Sequence, residues 1–283
     1  MFIALVILAV LLLLYAALIR PNLPRRDITP LMGFDYAHRG LWNDERPENS
    51  LAAFRAAVAH GYGAELDVHL LKDGNLAVMH DSLLNRTTGQ PGRIEDLTTD
   101  DLPRYHLQGT DETIPLLSDV LDIFEGKTPL ILELKAVDGN HARLTETACR
   151  MLEGYKGVYC MESFDPRCIY WLKKHRPEII RGQLAEDSFR FRSDYPDYIK
   201  FLMKHLLTNF LTLPDFVAYK FADRGRSPSP MLCRKLWKAQ GVSWTLRTPA
   251  DYKTAKEDGW LPIFEGFRPD QLPEAAEAPR LES

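Results

Sequence analysis

Two periods of apolar and polar positions alternate along the chain. Short apolar runs bounded by turn residues read as buried strands at Phe34 to Ala37, Ala64 to His69, Leu130 to Leu134, Val158 to Glu162, Ile179 to Leu184, Phe216 to Lys220, Val242 to Leu246 and Leu261 to Phe264. Between most of them apolar positions recur at three- and four-residue spacing. This predicts amphipathic helices at Leu51 to His60, Leu116 to Phe124, His141 to Glu153, Pro166 to His175, Met231 to Gln240 and Pro249 to Glu257. Asn49 or Ser50 supplies the cap of the first. Eight strands alternating with helices predict an α/β fold, a (β/α)8 TIM barrel, over residues 33–270.

Two stretches interrupt the alternation. Ser82 to Ile114, rich in turn and capping residues, reads as a small inserted subdomain. Ala185 to Pro214 is an apolar insertion in which Tyr198 to Leu213 has the spacing of an amphipathic helix, with Lys200, Lys204 and His205 among its polar positions. Outside the barrel, residues 21–32 read as a linker and residues 271–283 as a C-terminal tail. Residues 1–20 differ from all of these. Phe2 to Ile19 holds no charge, and at about 1.5 Å per residue it reaches roughly 27 Å, close to a bilayer's hydrocarbon thickness. The expectation is a single transmembrane helix anchoring the chain. Arg20, Arg25 and Arg26 follow it, which places the barrel on the cytoplasmic side of that membrane.

Composition narrows the class. With 283 residues, 45% of them hydrophobic, the chain is ample for one large core. A formal net charge of -4 argues against a nucleic-acid binder and for a small or lipidic partner; nothing in the sequence points to a protein partner. Cys149, Cys160, Cys168 and Cys233 have no CxxC spacing, a domain this large needs no disulfide staples, and Cys160, in an apolar strand-like run, reads as a buried free thiol.

Candidate chemistry gathers in GAELDVHLLKDGNLAVMHD. Strand side chains alternate, so Glu65 and Asp67 share a face. With Asp73 and Gly74 as a two-residue turn, Lys72 pairs with Asn75 and Asp67 lies opposite His80. If Leu66, Val68, Leu76 and Val78 pack outward under helices, the acids turn inward and need a cation; otherwise the set is a cross-strand ion pair on a solvated face. HRG (His38 to Gly40) follows the first strand. ELK (Glu133 to Lys135) closes the third, with Glu133 and Lys135 in one parity. Glu65, Asp67 and Glu133 without cysteine describe a site for one hard divalent cation, Ca²⁺ or Mg²⁺. Arg39 and Lys135 would hold phosphoryl oxygens, and His38 and His80 would serve as base and acid, so phosphodiester cleavage is the natural reaction. Duller readings stand beside each piece: ELK as a surface ion pair, Asn49 and Ser50 as caps only, Trp244 as core.

AHRG, PENS (Pro47 to Ser50), ELDV with KDG and MHD, LNRTTGQPGRIEDLT, IPLLSDVL, LILELK, ESF (Glu162 to Phe164) and SWT (Ser243 to Thr245) together resemble the glycerophosphodiester phosphodiesterase family, in family order from about Phe34 to Thr245. The resemblance implies a barrel with a small subdomain after the HD motif and a divalent metal on Glu65, Asp67 and Glu133. It also implies His38 and His80 as the acid–base pair, Arg39 and Lys135 on phosphate, and Phe164 and Trp244 near the glycerol or the leaving group. The implied reaction releases glycerol 3-phosphate and an alcohol by way of a cyclic phosphate. One departure is plain: where the family tends to show TD before a proline on the last strand, this chain has PIFEGFRPD, with Glu265 at about that place. Membrane lysophospholipids are an alternative substrate. A silent head-group-binding membrane adaptor and a phospholipase that stops at the cyclic phosphate are further alternatives.

Overall fold

In the computed structural model, which describes residues 1–190 and 196–272, strands and helices alternate around a closed sheet. The strands are β1 (Tyr36–His38), β2 (Gly63–Leu70), β3 (Leu76–Val78), β4 (Leu130–Leu134), β5 (Tyr159–Ser163), β6 (Arg181–Ala185), β7 (Phe216–Lys220), β8 (Gln240–Leu246) and β9 (Leu261–Phe264). The helices are α1 (Phe2–Leu18), α2 (Leu51–Ala59), α3 (Asn85–Thr88), α4 (Leu117–Phe124), α5 (His141–Met151), α6 (Pro166–His175), α7 (Asp197–Lys204), α8 (Asn209–Thr212), α9 (Ser229–Trp237) and α10 (Pro249–Glu257). All strands but β3 pair in parallel, and β1 meets both β9 and β2, which closes an eight-stranded barrel. β3 is an antiparallel addition to the side of β2. Tail residues 273–283 lie outside the described residues.

Outward-facing Leu66 and Val68 pack with Phe54, Phe124 and Val120 under the helices, which turns Glu65 and Asp67 inward. The barrel interior is filled by Tyr36, Ile131, Cys160, Phe216, Val242 and Ile263. Residues 82–114 enclose a small core of their own, in which Leu84, Ile94, Leu102 and Ile114 pack on Met79 and Ala77 of the hairpin return. The four cysteines are buried free thiols.

The hairpin differs from its expected register by one residue. Val68 pairs with Val78 and Leu70 with Leu76, so Asp67 faces Met79 and not His80. The loop has three residues, Lys72 to Gly74, because Gly74 takes φ +92° and lets the chain return one position later. The long helix expected over Tyr198 to Leu213 is broken into α7 and α8, with Leu206 at φ +54° between them. Leu206 is fully buried in the main core, while Tyr198, Phe201, Phe210 and Leu211 stay exposed.

Among the described residues no helix is long and apolar enough to cross a membrane. α1 has seventeen residues, about 26 Å of helix against a hydrocarbon layer of about 30 Å. It ends early because Ile19, expected as its last apolar residue, leaves the helix and is fully buried against the barrel. The Asn209 side chain donates to the Ile19 carbonyl (3.2 Å), the Trp237 indole to that of Ala16 (2.9 Å), and Tyr15 meets Ser229 (2.6 Å).

The stretch 21–32 runs under the N-terminal ends of the strands. Asn22 donates from its backbone to Pro214 (2.9 Å) and from its side chain to Asp215 (2.8 Å). Arg25 reaches Lys238 (2.7 Å) and Arg26 reaches the carbonyls of Pro177 and Glu178, residues that precede β8 and β6. Leu31 then plugs the barrel floor beside Tyr36, whose hydroxyl donates to the Leu31 carbonyl at 2.7 Å.

Candidate active site

Strand register assembles the mouth at the C-terminal ends of the strands. His38 of β1 lies level with Glu65 of β2; Asp67 of β2 lies level with Glu133 of β4, and Glu133 with Glu162 of β5. Five polar side chains therefore line one rim because each occupies an inward parity position on its own strand. Beyond β1, Arg39 takes φ +59°, and Gly40 follows at φ +81°, where an added Cβ would lie 2.9 Å from that of Ala53. Only glycine lets α2 approach this closely. Ser50 caps α2 by accepting from the Ala53 N–H (3.1 Å), while Asn49 turns away and donates to Asp67 (2.9 Å).

Glu65, Asp67 and Glu133 are all buried, and each offers an oxygen within 4.8 Å of the other two. Burial, and then the neighbouring charges of Asp67 and Glu133, push the Glu65 carboxyl well above the usual range. Burial raises Glu133 as well, against the pull of Lys135. For Asp67 burial is outweighed by Lys135, His80, Arg39 and the Asn49 amide, which hold it well below the usual range. Lys135 reaches both Asp67 (2.9 Å) and Glu133 (2.7 Å). Three converging oxygen ligands, one of them pushed well above the usual carboxyl range by burial and then by its neighbours' charge, fit a hard divalent cation that would relieve the repulsion. Glu162, also buried, has its carboxyl raised by burial and by Glu133, with one oxygen left unpartnered.

The two histidines sit on opposite sides of this group. Nδ1 of His38 makes a short contact with Glu265, and its Nε2 lies 3.9 Å from Glu65. Arg247 braces Glu265 from outside at 2.9 Å. Burial lowers the His38 pKa to about 4 despite Glu265, so the ring is neutral near pH 7. Burial would raise Glu265, but His38 and Arg247 bring it down to about 2. A neutral ring that donates Nδ1–H to Glu265 turns the Nε2 lone pair inward. On the other side, Nδ1 of His80 meets Asp81 at 2.6 Å. Arg86 of α3 binds Asp81 and spans to Glu48 (2.6 and 3.0 Å), which also accepts from Arg39 (2.9 Å). The inserted subdomain thus reaches both His80, through Asp81, and Arg39, through Glu48.

Phe164 and Trp244 meet edge to face at the rim, ring centres 5.5 Å apart. With His38, Arg39, His80 and Lys220 they line a cavity of about 140 Å³. It opens past His80 and Phe164 into a wider groove of about 310 Å³ that reaches Met203. All nine residues singled out in the sequence lie in or at this mouth. Glu48, Asn49, Asp81, Arg86, Glu162, Arg247 and Glu265 were not assigned a role there. Glu48, Asn49, Asp81, Arg86 and Glu162 lay inside quoted motifs without a role of their own, and the inward position of Glu162 also follows from strand parity.

An eight-stranded α/β barrel with carboxylates, two histidines and two cations at its C-terminal mouth defines the class. The sequence profile of the Glycerophosphoryl diester phosphodiesterase family matches residues 38–264, and the chain belongs to that family. Human glycerophosphodiester phosphodiesterase 1 is 28% identical over 252 residues, 75% of this chain and 71% of its own. A glycerophosphodiester phosphodiesterase from Bacillus altitudinis is 39% identical over 107 residues, 35% of this chain and 43% of that one. The lysophospholipase D GDPD1 of Rattus norvegicus is 33% identical over 159 residues, 52% of this chain and 48% of its own. For several of these relatives the chain spans only about half of their length. Among solved structures, an Oleispira antarctica phosphodiesterase in complex with the product sn-glycerol-3-phosphate shares the fold, with TM-score 0.67 and 22% identity over 82% of this chain and 92% of that one.

Proposed function

We propose that this chain hydrolyses glycerophosphodiesters to glycerol 3-phosphate and an alcohol, with one divalent cation, Ca²⁺ or Mg²⁺, on Glu65, Asp67 and Glu133. The observation that carries the reading is the set of three carboxylate oxygens within 4.8 Å of one another, flanked by Lys135 and by a histidine on either side. A cation bound there supplies charge neutralisation for the phosphoryl group. Arg39 and Lys135 orient the remaining phosphoryl oxygens. His38, neutral and with Nε2 inward, accepts the proton of the glycerol hydroxyl next to the phosphate. His80, oriented by Asp81, protonates the departing alcohol. Reversing the two roles lets water open the cyclic phosphate. Phe164 and Trp244 cover the glycerol or leaving-group side and keep bulk water from the reacting oxygens.

The test is release of glycerol 3-phosphate from glycerophosphocholine by the full chain, with Ca²⁺, Mg²⁺ and chelator arms. Loss of activity with chelator and in His80→Ala supports the reading. Metal-independent release, or no release in any arm, removes it, and binding without turnover returns the silent-adaptor alternative. A cyclic phosphate as the end product identifies the phospholipase-like course.

A second reading, lysophospholipase D-type activity on membrane lysophospholipids, is favoured by the similarity to the rat lysophospholipase D over 159 residues and by the wide groove beyond Phe164. In support of membrane attachment, none of the α1 residues is buried, and its surface is apolar on every side from Phe2 to Leu14. We propose that the apolar surface of α1 seats in a membrane and that Arg20, at the end of the helix, lies with the barrel on the cytoplasmic side. Resistance of the membrane-bound chain to carbonate extraction and cleavage of the barrel by protease only in opened vesicles would support this.

A further inference from the structure

On the outside of the barrel, α6 and α8 leave a groove of about 390 Å³ between them, walled by Pro166, Tyr170, Trp171, Thr208, Leu211 and Thr212. It shares no residue with the active-site cavities. Carbon dominates its walls, and its edge is cationic. The Lys174 ammonium stands 5.7 Å from the Tyr170 ring centre and that of Lys173 5.5 Å from it. Lys173 also donates to the Leu211 carbonyl at 2.6 Å, which places the charge at the seam of the two helices. Among the described residues neither lysine is paired with a carboxylate. Burial first, and then the nearby charges of Lys174, Arg181 and Arg20, lower the Lys173 pKa.

The groove opens where α1 leaves the barrel, because α8 carries both Leu211 and the Asn209 that holds the Ile19 carbonyl. Tyr170, Phe210 and Leu211 are exposed on α6 and α8, and α8 packs against the end of α1 through Asn209 and the Ile19 carbonyl. A ligand that satisfies both the apolar walls and the cationic edge has an acyl chain and a negatively charged head. Beside an apolar helix, membrane phospholipid is its nearest source.

We propose that this groove binds one anionic phospholipid, with the head-group phosphate on Lys173 and Lys174 and one acyl chain laid along Tyr170, Trp171 and Leu211. The supply of that lipid rests on the reading of α1 as membrane-seated; the binding itself does not. The full chain in neutral detergent is mixed with phosphatidylglycerol or phosphatidylcholine of the same acyl chains, and bound lipid is counted by native mass spectrometry. Phosphatidylglycerol is expected to be retained about fivefold or more over phosphatidylcholine, since one lysine near an anionic head group contributes about that factor. Lys174→Glu, an exposed change, removes the preference. Leu211→Asp lowers retention of both lipids. Hydrolysis of glycerophosphocholine stays at its starting rate in both variants, which also reports that they fold. Equal retention of the two lipids by the unaltered chain, or a preference that survives Lys174→Glu, overturns the proposal. Flotation with neutral vesicles separates the two readings: a chain that does not float has lost the α1 reading, while the lipid preference in detergent still decides the groove.

Discussion

Glu265 and His38 form a pair that fixes which ring nitrogen faces the cavity. Their carboxylate–imidazole contact joins residues 227 apart in the chain, with Arg247 as an outer brace. Glu265→Gln keeps the size and an acceptor oxygen but removes the charge that selects the Nδ1–H tautomer. It is expected to lower kcat on glycerophosphocholine about 10- to 100-fold, part of the roughly 10²–10⁴ that acid–base catalysis supplies, with KM within about twofold. An unchanged kcat would leave His38 without need of its partner. Arg86 acts on the other histidine through Asp81 and on Arg39 through Glu48. Arg86→Ala is expected to reduce kcat about tenfold, and Arg86→Lys to recover little, because a single ammonium cannot span two carboxylates as the guanidinium does. Steady-state kinetics on both variants check this. The acids on β2 and β4 were legible because strand parity is local. Glu265, Arg247 and Arg86 were not, since an ion pair between distant segments leaves no mark on the spacing of either.

The β2–β3 hairpin shows how one residue of loop length decides what a strand presents. Leu66, Val68, Leu76 and Val78, expected to pack outward if the acids turn inward, all lie in the outer core, yet the expected two-residue turn placed His80 opposite Asp67, where the structure has Met79. The sequence around Asp73 and Gly74 suits both loop lengths, and packing of Met79 and Ala77 into the subdomain core selects the longer. Asp73 ties that loop down: it accepts from the backbone N–H of Asn75 (3.0 Å) and of Thr99 (2.8 Å). Burial, which would raise its pKa, is outweighed by its bonds to Thr99 and Asn75 together, which bring it down to about 2 from an ordinary 3.8. The sign follows: a carboxylate depressed on folding contributes stability that is fully present above about pH 4 and is lost as pH falls through about 2. Asp73→Asn is therefore expected to be less stable than the unaltered chain by a constant margin from pH 5 to 8. That margin should shrink between pH 4 and 2. Urea unfolding followed by tryptophan fluorescence at each pH would read it, and a pH-independent difference would mean that the charge plays no part.

At the scale of the whole molecule, the chain before the barrel does two jobs that composition alone does not separate. Residues 2–14 are exposed and apolar, whereas Ile19, Asn22, Arg25, Arg26 and Leu31 are built into the side and floor of the barrel. Ile19 looked like the end of an apolar run, and Arg25 and Arg26 looked like the flank of an anchor. Their contacts with segments 152 to 213 residues away could not be read from position. The consequence is that the catalytic unit begins before the barrel's first strand. A chain starting at residue 27 loses the burial of Ile19, about 1.5–3 kcal/mol for a fully buried aliphatic side chain. It also loses the hydrogen bonds of Asn22, Arg25 and Arg26, about 0.5–1.5 kcal/mol each. Against a total stability of about 5–15 kcal/mol for a domain, that is a large share. A chain starting at residue 15 keeps all of these contacts, with Tyr15 on Ser229, and sheds the exposed apolar surface. Thermal unfolding is expected to place the form starting at residue 15 several degrees or more above the form starting at residue 27, with the longer one alone retaining full turnover of a soluble glycerophosphodiester. Equal midpoints would show that the segment from Tyr15 to Arg26 merely rests on a barrel that is complete without it.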